Sequence, residues 1–296
     1  MVAVPRPAKG NPLGMGGRES HVVLRSEGTE LPVNGHNETF GTQGRSQQVE
    51  IVDQSGQDGE MGHEIQMPAC SDTSQILEQD PPELIVPAIG AWPQFSPPLR
   101  IGVMASGSGS NLEALYEATA KGCLEASLQL LIVNNPGCGA RERAERLRIP
   151  CQLIDHREHN TRESLDHALV SAFRAADVEA VVMAGWMRIV TPVLIDAYAG
   201  RLINLHPSLL PAFKGLDAVG QALAAGVRIA GCSVHHVQAD VDSGAVIAQA
   251  AVPVLESDNA ETLAKRIQRQ EHRLLPWATA LAGLEWRREE QAVVQG

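Results

Sequence analysis

The chain has 296 residues and a formal net charge of −11 at pH 7, which disfavours nucleic acid and anionic membrane surfaces as general partners. No run of residues approaches the roughly 20 apolar positions of a membrane-spanning helix. The five cysteines form neither an even framework nor a C-x-x-C pair, and this predicts reduced thiols in a cytoplasmic protein.

The first 97 residues differ in composition from the rest of the chain. They are rich in Gly, Gln, Ser and charged residues, and Phe40 is the only aromatic residue before Trp92. Such a segment cannot bury enough apolar surface to offset the entropy lost on ordering. We therefore predict that residues 1–97 form a disordered extension. The short apolar run at 83–89 is the candidate for docking on the domain that follows.

A glycine-rich loop follows the first apolar strand pattern. Residues 99–105 form that strand, the loop Ser106–Asn111 comes next, and 112–120 have a helical pattern with Asn111 or Ser110 as N-cap. Bare backbone N–H groups and the helix dipole make such a loop suitable for an anion. The sequence lacks the Gly-Lys-Ser/Thr ending of a P-loop and the third glycine of a dinucleotide fingerprint. A small phosphate site is predicted, with a simple turn as the alternative.

A second candidate binding segment follows the next strong strand pattern. Residues 179–185 are a nearly continuous apolar run, typical of a buried parallel strand, and residues 186–190 continue from its carboxyl end. Met187, Ile189 and Val190 are most simply core residues. Ligands of open α/β sheets, however, lie outside the carboxyl ends of the strands, and an aromatic-lined slot suits a flat ligand.

The run Arg201–Pro211 ends an apolar strand with an amide and an imidazole two positions apart. Alternate residues of a strand share a face, so Asn204 and His206 point the same way, and Pro207 ends the pairing. A carboxamide donor beside an imidazole suits an acyl transfer, in which charge develops on a carbonyl oxygen. The alternative is that Asn204 caps a turn and His206 is a satisfied core histidine.

An aspartate lies just beyond the following strand. Residues 231–237 form a β-run, and Asp242 belongs to the Asp/Ser/Gly cluster after it, which is turn chemistry. A carboxylate at this position can reach a neighbouring strand end, although an Asx-turn is the alternative. His235 and His236 point to opposite faces and have no evident partners, so we predict no metal site.

The last predicted helix covers about 259–275, opens with Asp258 and Glu261 as a capping-box-like pair, and ends before the following proline. Its apolar positions recur at helical spacing, and Glu271 lies on the face that should be buried. Burying a carboxylate costs on the order of several kcal/mol unless it has a partner. That partner is either Arg266 or a ligand.

The strand and helix patterns alternate from residue 98 onwards, which predicts an α/β domain with a parallel sheet. Two of the motifs resemble those of the folate-dependent formyltransferase family, N-x-H-P-S-x-L-P and a later L-D-x-G. Here they are Asn204–Pro211 and Val241–Gly244, with valine at the apolar position. The resemblance implies a Rossmann-like open sheet, mostly parallel, with helices on both faces, over residues 98–296. It also implies a catalytic trio of Asn204, His206 and Asp242.

Within this family, the loop Ser-Gly-x-Gly-Ser-Asn is similar to that of members that formylate glycinamide ribonucleotide in purine synthesis. The resemblance implies 10-formyltetrahydrofolate as co-substrate and no metal. The residues that it assigns to the ribonucleotide are Gly109, Ser110, Asn111 and Glu271, the last within Gln270-Glu-His272. The residues that it assigns to the folate are Arg162, Met187, Arg188, Ile189, Val190 and Asn204.

Three alternatives remain beside formyl transfer to the ribonucleotide. A formyltetrahydrofolate hydrolase shares the trio, but it carries a folded βαββαβ module and tends to have His-His-Ser where this chain has His206–Ser208. A methionyl-tRNA formyltransferase needs a C-terminal β-barrel and a basic surface, and a non-catalytic module is opposed by the intact trio. Asp217 and Val219 stand where relatives often have histidines. The expected partners are small molecules, without nucleic acid or membrane, for a monomer or homodimer.

Overall fold

The computed structural model describes residues 84–295, with side chains to residue 292, so the predicted extension up to residue 83 lies outside the described residues. The strands are β1 (Leu84–Val86), β2 (Leu99–Ala105), β3 (Ala126–Val133), β4 (Cys151–Leu153), β5 (Ala180–Met183), β6 (Leu202–His206), β7 (Ile229–His236) and β8 (Val246–Pro253). The helices are α1 (Ser110–Ala120), α2 (Gly139–Leu147), α3 (Arg162–Ala175), α4 (Pro192–Ala197), α5 (Ala218–Ala224) and α6 (Ala260–Gln295).

The eight strands form one open sheet in the order β1-β8-β7-β6-β5-β2-β3-β4. All pairings from β4 to β6 are parallel, whereas β7 is antiparallel to both β6 and β8, and β1 is antiparallel to β8. This confirms the predicted α/β open sheet with mostly parallel strands. The carboxyl ends of β2, β5 and β6 consequently lie side by side.

Each face of the sheet is covered by its own set of helices. Successive strand residues point to opposite faces, so Val103 belongs to the core under α1, α2, α5 and α6, and Met104 to the core under α3 and α4. Both side chains are fully buried. Strands buried on both faces need continuous apolar runs, which explains the sequence of β2. Among the described helices, none has the length and apolarity needed to cross a bilayer.

The last helix is longer than the sequence predicted. It continues through Pro276 to Gln295 instead of ending before the proline. Proline removes one helical N–H donor, but the turns on either side of it are held by packing, because Leu275 and Trp277 are both buried. Further along the helix, the Nε1 group of Trp286 donates to the carbonyl of Gly200, just before β6. Tertiary packing therefore outweighs the local signal that proline gives.

Helix starts also differ from the predicted caps. At α6 the Oδ1 atom of Asn259 accepts from the N–H groups of residues 261 and 262, while Asp258 pairs with Arg266, so the predicted pairing of Asp258 with Glu261 was wrong. At α1 the N-cap is Gly109, neither Asn111 nor Ser110. At α1 the side chains of Ser110 and Asn111 contact α6 instead of capping the helix.

The segment 84–97 is part of the folded domain. Strand β1 pairs with β8, Phe95 is buried, and the Nε1 group of Trp277 donates to the carbonyl of Pro87 at 3.0 Å. Trp92 packs edge-on against Trp277 with ring centroids 5.3 Å apart. The docking expected for residues 83–89 is therefore observed from residue 84 onwards, and the folded domain begins earlier than the predicted boundary at residue 98.

Replacing Phe95 by alanine should destabilise the domain by about 3–5 kcal/mol, because the ring is only 4% exposed and its removal leaves a cavity. Leu84→Ala is the matched control, since Leu84 belongs to the same segment but is 57% exposed. Urea unfolding followed by tryptophan fluorescence would compare the two variants. Equal and small effects would show that residues 84–97 do not belong to the cooperative unit.

Candidate active site

The three residues of the predicted trio meet at Asp242, which lies within hydrogen-bonding reach of the other two. Asn204 and His206 occupy one face at the end of β6, and the connection from β7 to β8 folds back over them. The Oδ2 atom of Asp242 lies 3.2 Å from His206 Nδ1, and its Oδ1 atom lies 3.5 Å from Asn204 Nδ2. Asp242 has a left-handed backbone, with φ of 49°, which aspartate tolerates better than most residues. One carboxylate therefore joins both other members.

The contacts of His206 define where its protons lie. Its Nε2 atom is 2.8 Å from the carbonyl oxygen of Phe213, and its Nδ1 atom faces the Asp242 carboxylate. A carbonyl and a carboxylate can only accept, so both contacts are satisfied when each ring nitrogen carries a proton. The ring is buried, with 5% of its surface exposed. The geometry thus suits an imidazolium that can donate from Nε2.

The electrostatics around Asp242 keep its carboxyl ionised. Burial by itself raises the pKa of Asp242, but the hydrogen bond from His235, the N–H group of Gly215 at 2.9 Å and the charges of the two histidines outweigh it and hold the pKa below its ordinary value. A carboxylate that stays charged near neutral pH stabilises a neighbouring imidazolium. It also accepts hydrogen bonds from three parts of the chain at once.

His235 belongs to this cluster, although the sequence suggested no partner for it. Its Nε2 atom is 3.1 Å from Asn204 Nδ2 and 3.5 Å from Asp242 Oδ1, and its Nδ1 atom is 2.8 Å from the carbonyl of His236. The antiparallel register places His235 opposite Asn204. That register cannot be read from the sequence. Within the described part of the chain, His, Cys, Asp and Glu side chains form no group of three or more able to hold a metal ion.

The glycine loop after β2 is held tightly against α2. Gly109 has φ of 79°, and a Cβ atom there would lie 2.5 Å from the backbone of Ala140. The carbonyl of Ser108 accepts from Arg143 Nε at 2.9 Å, and Ser110 Oγ accepts from Gln268 at 3.1 Å. A residue other than glycine at 109 would displace α2. The loop is therefore packed closely against the start of α2 and anchored by side chains of α2 and α6.

The partner of Glu271 is the glycine loop and not Arg266. Arg266 pairs with Asp258 instead. The Nδ2 group of Asn111 donates to Glu271 Oε2 at 3.0 Å. Burial raises the pKa of Glu271, and this hydrogen bond offsets the shift only in part. The carboxyl is deeply buried, although the residue as a whole is only half-buried. In the described chain, Asn111 Oδ1 is buried without a hydrogen-bond partner, so the pair has spare capacity for a polar ligand.

The segment after β5 presents apolar side chains to solvent. Met187 is 68% exposed and Ile189 is 54% exposed, so neither is a core residue, whereas Val190 is buried. The backbone N–H of Met187 donates to Ser106 Oγ at 3.0 Å, which ties this segment to the glycine loop. Among the described residues, the Nε atom of Arg188 is buried and has no hydrogen-bond partner. An apolar surface with an unsatisfied donor suits a flat, partly polar ligand.

The remaining predicted positions lie at two helix starts. Arg162 is the exposed first residue of α3, and within residues 84–292 no hydrogen bond or ion pair joins its side chain to the segment after β5. Asp217 is the N-cap of α5 and accepts from the N–H of Gly220 at 3.2 Å. Val219 follows within the first turn of that helix. Asp217 thus has a structural role as the cap of this helix.

Comparison with known proteins places the chain in a family. Residues 99–279 match the model of the formyl transferase family, and the chain belongs to that family. It is 41% identical over 177 residues to phosphoribosylglycinamide formyltransferase of Bacillus subtilis (strain 168), a match covering 60% of this chain and 91% of that protein. It is also 42% identical over 183 residues to the trifunctional purine biosynthetic protein adenosine-3 of Gallus gallus, of which it covers 18%.

Solved structures give the same relationship. Glycinamide ribonucleotide transformylase 1 from Symbiobacterium toebii aligns with a TM-score of 0.62 and 42% identity, over 63% of this chain and 88% of that one. Phosphoribosylglycinamide formyltransferase from Bacillus halodurans aligns with a TM-score of 0.60 and 41% identity, over 62% and 94% of the two chains.

Replacing Glu271 by glutamine should stabilise the fold at neutral pH. The pKa of Glu271 is higher in the folded chain than in the unfolded one, so ionisation costs stability as the pH rises from about 4 through the folded-state pKa. Glutamine removes that cost and keeps an acceptor for Asn111. We expect a melting temperature a few degrees higher at pH 7.5 and unchanged at pH 4.

Glu117→Gln is the control for this experiment, because Glu117 is exposed and Lys121 lowers its pKa. Its replacement should leave the melting temperature unchanged or slightly lower at neutral pH. A destabilised Glu271→Gln variant at pH 7.5 would contradict the assignment of Glu271 as a carboxylate that burial disfavours.

Proposed function

We propose that the chain transfers the formyl group of 10-formyltetrahydrofolate to the amine of N1-(5-phospho-β-D-ribosyl)glycinamide, a step of de novo purine (IMP) biosynthesis. The observation that carries the proposal is the convergence of Asn204, His206 and Asp242 beside the loops that leave β5 and β2. The names of the relatives support the same acceptor. Both substrates are small molecules, and the proposed setting is a cytoplasmic monomer or homodimer.

In the proposed reaction, the neutral amine attacks the formyl carbon and a new C–N bond forms. The formyl oxygen becomes the oxyanion of a tetrahedral intermediate. Asn204 Nδ2 and His206 Nε2 donate to that oxygen, and one such donor lowers the barrier by ~3 kcal/mol. His206 Nε2–H exchanges its hydrogen-bond acceptor, from the carbonyl of Phe213 to the oxyanion, and the proton stays on the ring.

Asp242 has two roles in the proposed reaction. Its negative charge faces the His206 ring, and its lowered pKa keeps it ionised. The attacking nitrogen becomes acidic once the tetrahedral intermediate forms, and the carboxylate then accepts its proton through water. The C–N10 bond of the folate then breaks, and N10 receives the proton that the amine has lost. The products are the formylated amine and tetrahydrofolate. The formyl donor supplies the activated carbon, and the residues named supply charge stabilisation and proton transfer.

The two substrates occupy different loops in this proposal. Backbone N–H groups of Gly109, Ser110 and Asn111 bind the ribonucleotide phosphate, and Glu271 binds a polar group of the same substrate. The close packing of the glycine loop and the unused capacity of the Asn111–Glu271 pair support this assignment. The residues proposed for the folate are Arg162, Met187, Arg188, Ile189, Val190 and Asn204.

Assays with and without the acceptor test the reaction itself. Wild-type protein should form tetrahydrofolate from 10-formyltetrahydrofolate only when the ribonucleotide is present, and inorganic phosphate should compete with the ribonucleotide but not with the folate. Release of formate at a rate that ignores the ribonucleotide would instead identify a hydrolase. Absence of competition by phosphate would leave the glycine loop as a simple turn.

Single substitutions Asn204→Ala, His206→Ala and Asp242→Asn should each lower kcat by roughly 10²–10³-fold, because each removes a group acting on the same developing charge. Double variants should lose much less than the product of the single losses, as groups acting as a unit do. His236→Ala is the control, since that side chain points away from the cluster and pairs with Glu285. A folded single variant with wild-type kcat would remove that residue from the mechanism.

A further inference from the structure

One buried carboxylate outside the cluster of Asp242 lacks a cationic partner. Asp166 on α3 is 1% exposed, and within the described residues no lysine or arginine forms an ion pair with it. Its Oδ2 atom accepts from the backbone N–H of Thr191 at 2.5 Å and from Thr191 Oγ1 at 2.8 Å. Burial raises the pKa of this carboxyl, and the two hydrogen bonds oppose that shift. Such a group is expensive to bury, so its retention calls for a reason beyond packing.

The position of the contact supplies that reason. Thr191 directly follows the segment 187–190 and is the N-cap of α4, whose Val193 N–H donates to Thr191 Oγ1. Arg162 lies one turn before Asp166 on α3 and on the same side of that helix. The Asp166–Thr191 contact thus connects the helix that begins with Arg162 to the end of the segment that follows β5.

We infer that Asp166 is a positioning residue for folate binding: through Thr191 it fixes segment 187–190 relative to α3, and so sets the separation between that segment and Arg162. The inference rests on the proposed function, in which these elements bind the folate. An apolar residue at 166 would leave the Thr191 N–H without a partner and α4 without a negative charge at its start. Since α4 has only six residues, it cannot hold its own first turn in place.

Four variants of the full chain separate this role from simple packing. Asp166→Asn removes the charge, Thr191→Val removes the hydroxyl at nearly constant volume, and Thr191→Ser keeps the hydroxyl. Glu163→Gln removes an exposed charge from the same helix without touching Thr191. Titration calorimetry with tetrahydrofolate gives the Kd, steady-state assays give the KM of each substrate, and thermal unfolding confirms that each protein is folded at the assay temperature.

Asp166→Asn and Thr191→Val should each raise the Kd for tetrahydrofolate about tenfold, which corresponds to losing one hydrogen bond to a charged group. The ribonucleotide KM should stay within about twofold, and Thr191→Ser and Glu163→Gln should bind like wild type. The double variant Asp166→Asn/Thr191→Val should lose less affinity than the product of the two single losses, because both substitutions weaken the same contact.

Lower melting temperatures with wild-type folate affinity would overturn the inference and leave Asp166 a purely structural residue. If Asp166→Asn does not fold, the comparison of Thr191→Val with Thr191→Ser decides in the same way. Wild-type protein that binds tetrahydrofolate without formylating the ribonucleotide would reject the proposed function while the titrations still decide the role of Asp166. Wild-type protein that does not bind tetrahydrofolate would reject both.

Discussion

The carboxylate of Asp242 is the interaction on which the rest of the site depends. It accepts hydrogen bonds from the imidazole of His206 and from the backbone N–H of Gly215. It also lies next to His235 and Asn204. One of its oxygens faces the imidazole and the other faces the amide. Without it, the loop after β6 and the connection after β7 would have no common anchor.

The sheet explains how so few residues can meet around this carboxylate. Parallel strands bring the glycine loop, the exposed apolar segment and the amide–imidazole pair to one edge, because all three follow adjacent strands of the same direction. Strand β7 runs antiparallel to β6. The turn after it, in which Asp242 has a left-handed backbone, places the Asp242 carboxylate over the end of β6. The parallel strands thus bring the site loops together, and the antiparallel strand β7 leads to the turn that adds the carboxylate.

The sequence predicted the features that depend on local pattern. The strand that ends at Pro207, the glycine loop before a helix, and the shared face of Asn204 and His206 all follow from alternation and turn chemistry, and the structure places them as expected. The roles assigned to these residues stay predictions. The sequence could not reveal His235, because its place beside Asn204 depends on the register between two strands.

Other differences have the same origin in tertiary contacts. Pro276 signals a helix end, but buried side chains on both sides carry α6 past it. The first 97 residues have a low average apolar content, but they include the short segment 84–97, which packs on the domain. Apolar side chains of this segment, among them Phe95, are buried there. Composition averaged over a long stretch conceals such a segment, whereas packing depends on individual side chains.

The short strand β1 has a consequence for how the molecule meets other chains. An eight-residue strand such as β8 would, at the edge of a sheet, offer a row of unpaired backbone groups to any extended peptide. Strand β1 covers the stretch of β8 from residue 249 to residue 251, and it is itself only three residues long and followed by proline. Among the described residues, β1 thus shields the backbone groups of residues 249–251 from pairing with another chain.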